Sequence, residues 1–141
     1  MPRHLRHLIL LYPLLLVALL SYPQQRHRDT LILHFAFNSH RIPSQDSTRL
    51  SQALASEKID SVQIDGYTDK VGSAAYNLAL SRRRAKAASR LISRETVDDS
   101  RLHAAGHGKA PTTQWSDSAN RRVEVVLFYT RPPEASGTPP A

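Results

Sequence analysis

The amino-acid sequence predicts an α/β domain, an α+β sandwich in which helices pack against a sheet. Some segments alternate apolar and polar residues, as half-buried strands do, whereas others repeat apolar residues at every third and fourth position, as amphipathic helices do. The two kinds of segment are interleaved along the chain, an order that is typical of layered structures combining helices with a sheet. One such domain, with short appendages at both ends, accounts for the 141 residues.

Four strands and two helices are predicted in the domain, which covers residues 31–130. The first strand is rich in apolar and aromatic residues, and the first helix is expected to be capped by a serine or aspartate of residues 44–47. The second helix is expected to be capped by Ser73. The strands are predicted at residues 31–37, 61–66, 101–105 and 121–129, the helices at residues 44–56 and 74–93, and a polar loop at residues 107–119.

The first 22 residues are predicted to target the chain to a membrane. Basic and histidine residues precede an apolar run at residues 8–20, and this run is shorter than the roughly 20 residues of a comfortable membrane span. Because no small-x-small cleavage motif follows Leu20, we expect an uncleaved anchor in the inner membrane. The alternatives are a cleaved signal peptide and an association with the outer membrane. In each case the domain is expected in the periplasm.

The segments that flank the domain are polar and lack apolar periodicity. Residues 23–30 are expected to form a short tether between the hydrophobic segment and the domain. Residues 131–141 contain four prolines and are expected to be disordered.

The composition limits the classes of function. The chain has no cysteine, which excludes disulfides, thiol chemistry and an N-terminal lipid-bearing cysteine. Nineteen lysines and arginines against twelve acidic residues give a net charge of +7, which favours anionic partners. The basic residues are not interleaved with aromatic residues or arranged in a nucleic-acid-binding motif, so no nucleic-acid partner is expected.

Neither an enzyme nor a metal site is predicted. The sequence has no nucleophile elbow and no paired carboxylates beside an obvious base, and its glycine spacing matches no phosphate-binding loop. His103 and His107 are four residues apart, but Gly106 and the strand pattern argue against a shared helical face. No cofactor is therefore expected.

Two charged residues between residues 64 and 85 are the best candidates for a site. Asp69 lies in a loop bracketed by Gly66 and Gly72, and it could instead be only a turn or capping residue. Arg84 falls inside the apolar arc of the second helix, where an always-charged guanidinium needs a partner. It could also extend to solvent from the rim of the core or pair with a structural carboxylate.

The same stretch carries a resemblance to a known family. Its spacing of glycine, tyrosine, asparagine, aspartate and arginine resembles the signature of the OmpA-like C-terminal domain, and the similarity covers residues 31–129. The matching residues are Gly66, Tyr67, Thr68, Asp69, Gly72, Tyr76, Asn77, Leu80, Ser81, Arg84 and Ala85, followed by Arg101, Leu102, Gly106, His107, Gly108, Pro111 and Asn120 to Glu124.

The resemblance implies a fold and a ligand. The implied order is β-α-β-α-β-β, with helices on one face of a mixed sheet. The implied ligand is peptidoglycan, bound non-covalently through the diaminopimelate of its stem peptide, whose ammonium and carboxylate groups face Asp69 and Arg84. Such a domain would tether a membrane or envelope component to the cell wall. The residues implied to line the pocket are Thr68, Val71, Tyr76, Asn77 and Leu80, with Asn120 and Arg121 as an extension.

One departure from the family pattern leaves a second function open. Members of the family often carry an aspartate near the ligand at the position that Ala36 occupies in this chain. The alternative is therefore a periplasmic scaffold or protein-interaction domain in which peptidoglycan binding is weakened or lost.

Overall fold

The computed structural model of the chain describes residues 25–95, 97–111 and 116–131. Within these residues three α-helices and a short 3-10 helix connect four strands. In chain order the elements are β1 (Gln25–His34), α1 (Ser44–Ser56), β2 (Ile59–Thr68), α2 (Ala74–Glu95), the 3-10 helix (Asp99–Arg101), β3 (Leu102–Lys109), α3 (Asp117–Asn120) and β4 (Arg122–Arg131).

The four strands form one mixed sheet in the order β1-β4-β2-β3. β2 pairs in parallel with β3, and α2 makes the crossover between these two strands. β2 also pairs antiparallel with β4, so that Ile64 lies between Ala104 and Val125. The predicted α+β class and mixed sheet are confirmed.

The hydrophobic core lies between one face of the sheet and the two long helices. Alternate strand residues such as Val62 and Ile64 are fully buried, whereas Gln63 and Asp65 point to the other, more exposed face. The other buried core residues include Leu33, Phe35, Leu50, Leu54, Ala85, Ala88, Ile92, Val123, Val125 and Leu127. The helices therefore cover a single face of the sheet, as predicted.

Two glycines allow α2 to lie directly on the strands. A Cβ atom on Gly66 would be 2.3 Å from the backbone oxygen of Ser81, and one on Gly106 would be 2.3 Å from the backbone nitrogen of Arg82. Only glycine permits so close an approach of backbone to backbone. The contact fixes the first half of α2 beside the end of β2, where the candidate residues lie.

The start of β1 differs from the prediction. Residues 25–30, predicted as tether, belong to the strand, which ends at His34 instead of residue 37. Most side chains of this stretch are exposed, so no apolar alternation revealed it. Tyr129 of β4 stabilises it, because its ring stacks on His27 at 5.6 Å and its hydroxyl donates to Asp29 over 2.9 Å.

The bounds of α1 are confirmed, but its predicted cap is wrong. The N-cap residue is Pro43, which makes no side-chain capping hydrogen bond. Asp46, one of the predicted candidates, is buried and accepts instead from the backbone N–H of His34 at 2.8 Å. Its carboxylate thus links α1 to the end of β1. The predicted cap of α2 is confirmed, since Ser73 Oγ accepts from the backbone N–H of Tyr76 at 3.2 Å.

The region after β2 contains more regular structure than predicted. β3 runs through Gly106 and Gly108 to Lys109, although glycines usually interrupt strands. Close packing against α2 explains Gly106, and a positive φ of 73° explains Gly108, so neither glycine marks the end of the strand. The predicted polar loop also contains most of the short helix α3.

Residues 27–130 form one compact unit. The predicted hydrophobic segment of residues 1–22 and all but the first residue of the predicted tail lie outside the described residues. Among the residues that are described, no helix has the length and apolar character needed to span a membrane.

Candidate functional site

A cavity of about 300 Å³ opens beside the first half of α2. Three segments enclose it: the turn after β1, the loop between β2 and α2, and the first three turns of α2. Its lining residues are Phe37 and Asn38 from the turn, Asp69, Val71 and Gly72 from the loop, and Tyr76, Asn77, Leu80 and Arg84 from the helix.

The lining combines a polar interior with an apolar rim. Asp69, Asn77 and Arg84 are each at most 4% exposed. The large apolar side chains at the opening are unusually accessible, with Phe37 63% and Tyr76 40% exposed. A few converging polar groups within mostly apolar walls are typical of small-ligand sites. The arrangement suits a ligand that joins a charged end to an aliphatic body.

Arg84 lies at the inner end of the cavity and is fully buried. Its guanidinium donates to three backbone carbonyls: Nε to Ser39 at 2.7 Å, Nη1 to Tyr67 at 2.9 Å and Nη2 to Ala36 at 3.2 Å. It also lies over the Phe35 ring, 5.1 Å from the centroid. The arginine therefore neither extends to solvent nor relies on a carboxylate partner, and it joins α2 to β2 and to the turn after β1.

The charge state and the remaining donors of Arg84 determine what it can bind. Burial lowers the pKa of Arg84 to about 10, an effect that the nearby Asp69 carboxylate opposes. The side chain is therefore still cationic at neutral pH. A guanidinium has five N–H donors, and the three carbonyl bonds leave one on each Nη atom. Two parallel N–H groups match the two oxygens of a carboxylate.

Asp69 is held in place from two sides. Its Oδ1 accepts from the backbone N–H of Val71 at 3.2 Å, and its Oδ2 forms an ion pair with Arg121 Nη1 at 3.1 Å. Arg121 is fixed in turn, because its Nε donates to the backbone oxygen of Phe35 at 3.2 Å. These contacts orient the carboxylate, whose other lone pairs remain available to a ligand donor.

Asn77 has an acceptor without a partner. Its side chain lines the cavity and the residue is 2% exposed, yet Oδ1 accepts no hydrogen bond from any described residue. Most buried polar atoms in folded proteins are hydrogen-bonded, and leaving one unsatisfied costs about 1–3 kcal/mol. An N–H donor on a ligand would satisfy this oxygen.

Six of the nine predicted site residues line the cavity: Asp69, Val71, Tyr76, Asn77, Leu80 and Arg84. The other three, Thr68, Asn120 and Arg121, do not line it. Thr68 Oγ1 donates to the backbone oxygen of Asp69 at 3.1 Å, Asn120 Oδ1 accepts from Arg122 Nη1 at 3.4 Å, and Arg121 contacts Asp69. A ligand in this cavity would therefore not make the contacts predicted for these three residues.

Phe37, Asn38 and Gly72 were not predicted to belong to the site. Asn38 adopts a left-handed backbone conformation, with a φ of 53°, and its Oδ1 accepts from the hydroxyl of Tyr76. This contact spans 38 residues of sequence and left no local pattern. Phe37 fell within the first strand as predicted, so its sequence context did not distinguish it from a core residue. Within the described ranges, no group of three or more histidines and acidic residues could hold a metal ion.

A cavity with a fixed cation, a fixed carboxylate, an open amide acceptor and an apolar rim has the features of a site for a small charged ligand. A comparison with protein families then identifies the chain's relatives. The model of the OmpA family matches residues 34–125, and the chain belongs to this family.

Individual relatives agree with this assignment. The peptidoglycan-associated lipoprotein of Legionella pneumophila is 30% identical over 119 residues, which cover 79% of this chain and 67% of the relative. Outer membrane porin F of Pseudomonas fluorescens is 33% identical over 87 residues, or 58% of this chain and only 27% of the porin. The OmpA-like domain of FopA1 from Francisella tularensis has the same fold, with a TM-score of 0.64 at 19% identity over 79% of this chain and 80% of that one.

Proposed function

We propose that the domain binds peptidoglycan non-covalently, gripping the diaminopimelate of a stem peptide, and so tethers an envelope component to the cell wall. One observation carries the proposal: Arg84, whose guanidinium keeps two N–H donors beyond its three carbonyl bonds, lines the same cavity as Asp69 and the unsatisfied Asn77. The side chain of diaminopimelate ends in a carbon that bears both an ammonium and a carboxylate. Membership of the OmpA family and similarity to a peptidoglycan-associated lipoprotein support it.

Each part of the ligand has a counterpart in the cavity. The carboxylate accepts from the two free N–H groups of Arg84, and the ammonium donates to Asp69 and to Asn77 Oδ1. The methylene chain that leads out of the cavity packs against Leu80 and the apolar rim. Because both charged side chains are already fixed by the protein, binding requires little further ordering of the site.

The amide oxygen of Asn77 compensates in part for the missing aspartate at Ala36. Two cations, Arg84 and Arg121, lie near a single carboxylate, Asp69, so the site has one excess positive charge. This excess favours the ligand carboxylate. The ammonium has one carboxylate instead of two, and the amide oxygen of Asn77 supplies a second, neutral acceptor. Ala36 itself contributes a backbone oxygen that holds Arg84.

The proposed location is the periplasm, with residues 1–22 anchoring the domain in the inner membrane. The basic residues before the apolar run, the run itself and the absence of a cleavage motif after it support this location. The mass of the mature protein decides the point, since a species lacking about 20 N-terminal residues would show a cleaved signal peptide.

The unsatisfied amide of Asn77 gives the proposal a specific test. Asn77→Ala is expected to weaken binding of a soluble diaminopimelate stem peptide about tenfold, because one acceptor for the ammonium is lost. The unfolding free energy should change by less than about 1 kcal/mol, since removing an unsatisfied buried oxygen offsets the lost packing. Calorimetry and urea unfolding of the full chain in detergent measure the two quantities.

Asn120→Ala is the matched control, because this buried asparagine lies outside the cavity and bonds to Arg122. It should lose stability and retain affinity. The proposal is contradicted if the wild type does not bind the peptide, or if Asn77→Ala binds it as tightly as the wild type does.

A further inference from the structure

The exposed side of α2 carries a row of four basic residues at a spacing of four: Arg82, Lys86, Arg90 and Arg94, here called the basic row. Four residues advance a helix by about 6 Å, so the basic row extends for about 18 Å along one side of α2. The only acidic residue of α2 is Glu95, whose carboxylate accepts from the hydroxyl of Ser51 at 3.0 Å.

The basic row is unfavourable for the isolated helix. Like charges four residues apart on a helix repel each other. None of the four side chains forms an ion pair with any residue of the described ranges, although the domain contains several ion pairs elsewhere. An anionic partner would remove this repulsion.

The N-terminal end of the basic row borders a groove of about 230 Å³ between α2 and the edge strand β3. Arg82, Lys86 and Ser89 provide its polar groups, and its remaining lining is small, consisting of Ala85, Ala104, Ala105 and Gly106. Small residues leave the cations and the hydroxyl accessible to a compact anionic group such as a carboxylate.

The basic row and the ligand cavity belong to the same helix. At about 100° per residue, Arg82 and Arg84 lie on opposite sides of α2, with the exposed side between them. The groove, the basic row and the cavity therefore follow one another around the helix. A polymer with one group in the cavity can continue across the basic row without leaving α2.

We propose that the basic row is a second contact for peptidoglycan. Its cations bind carboxylates of stem peptides adjacent to the stem peptide held in the cavity. The inference rests on the proposed function. A wall polymer repeats its carboxylates from stem to stem, and a row of cations fits such a repeated charge. Contact at two places raises the affinity for the polymer above that for a single soluble peptide.

The test compares the polymer with its soluble fragment. In the full chain in detergent, the variant Arg82→Gln/Lys86→Gln/Arg90→Gln is compared with Arg28→Gln/Arg41→Gln/Lys58→Gln, which removes the same charge from exposed residues elsewhere. At low salt the basic-row variant should bind intact sacculi about tenfold more weakly than the wild type, with a smaller dependence on salt. Its affinity for a soluble diaminopimelate stem peptide should be unchanged. The control variant should match the wild type on both ligands.

Several results would overturn the inference. The first is a loss of sacculus affinity in the control variant equal to that in the basic-row variant. The second is an equal loss of affinity of the basic-row variant for the soluble peptide. The third is a basic-row variant that binds sacculi as tightly as the wild type does. A loss seen with phosphatidylglycerol vesicles and not with sacculi would assign the basic row to a membrane surface instead. Failure of the wild type to bind the soluble peptide is a different result, because it contradicts the proposed function itself.

Discussion

Arg84→Ala is expected to lower the unfolding free energy by about 3–5 kcal/mol, because three hydrogen bonds from a charged group are lost together. The carbonyls of Ala36, Ser39 and Tyr67 would each lose the donor that Arg84 provides. These residues belong to two segments that the arginine joins to α2, so the turn after β1 should also become mobile. Urea unfolding of the full chain in detergent measures the effect.

The neighbouring Arg83 is the matched control, since it is exposed on the same turn of α2. Arg83→Ala should change the unfolding free energy by no more than about 0.5 kcal/mol. The unfolding free energy of Arg84→Lys should fall between those of the two alanine variants, because an ammonium retains the charge but not the planar arrangement of donors. Equal stability of Arg84→Ala and Arg83→Ala would show that the three carbonyl bonds contribute nothing.

Asp69→Ala is expected to weaken binding of a diaminopimelate stem peptide by about 2–5 kcal/mol. Asp69 provides the only carboxylate among the described residues that line the cavity, so in the variant the ligand ammonium would be desolvated without a charged partner. It also leaves Arg121 unpaired beside the site, which adds a repulsive charge. Calorimetry gives the affinity, and circular dichroism verifies that the domain is folded.

Asp65→Ala provides the control for this variant. Asp65 also has a side-chain partner, since its Oδ1 lies 2.6 Å from Nε2 of His107, but it points to the sheet face away from the helices. This variant should therefore lose that contact and still bind the peptide. If both aspartate variants lose affinity equally, the binding site is not the cavity described here.

The helices were predictable because their apolar faces are regular. The bounds of α1 and the start of α2 follow from periodicity and, for α2, from the capping serine at Ser73. The part of β1 before Leu31 was not predictable from the sequence. Its side chains are mostly exposed and polar, so the strand depends on backbone pairing, which leaves no apolar pattern in the sequence. The same applies to the end of β3, where Gly106 packs against the backbone of α2 and Gly108 adopts a positive φ.

The site was predictable in its residues but not in its connections. The position of Arg84 within the apolar arc indicated that the guanidinium needed a partner. Its three partners are 17, 45 and 48 residues away and are backbone atoms, so residue types alone could not identify them. Pairing of Asp69 with Arg121 likewise depends on how β4 is placed beside β2.

The most direct measurement is calorimetry of the full chain with two stem peptides that differ only in diaminopimelate or lysine at the third position. Lysine lacks the terminal carboxylate, so the two remaining N–H donors of Arg84 would be left unpaired. The diaminopimelate peptide should bind at least about a hundredfold more tightly, as expected where a buried polar group loses its partner. Equal affinities, or no binding of either peptide, would contradict the assignment and favour the scaffold function that Ala36 suggests.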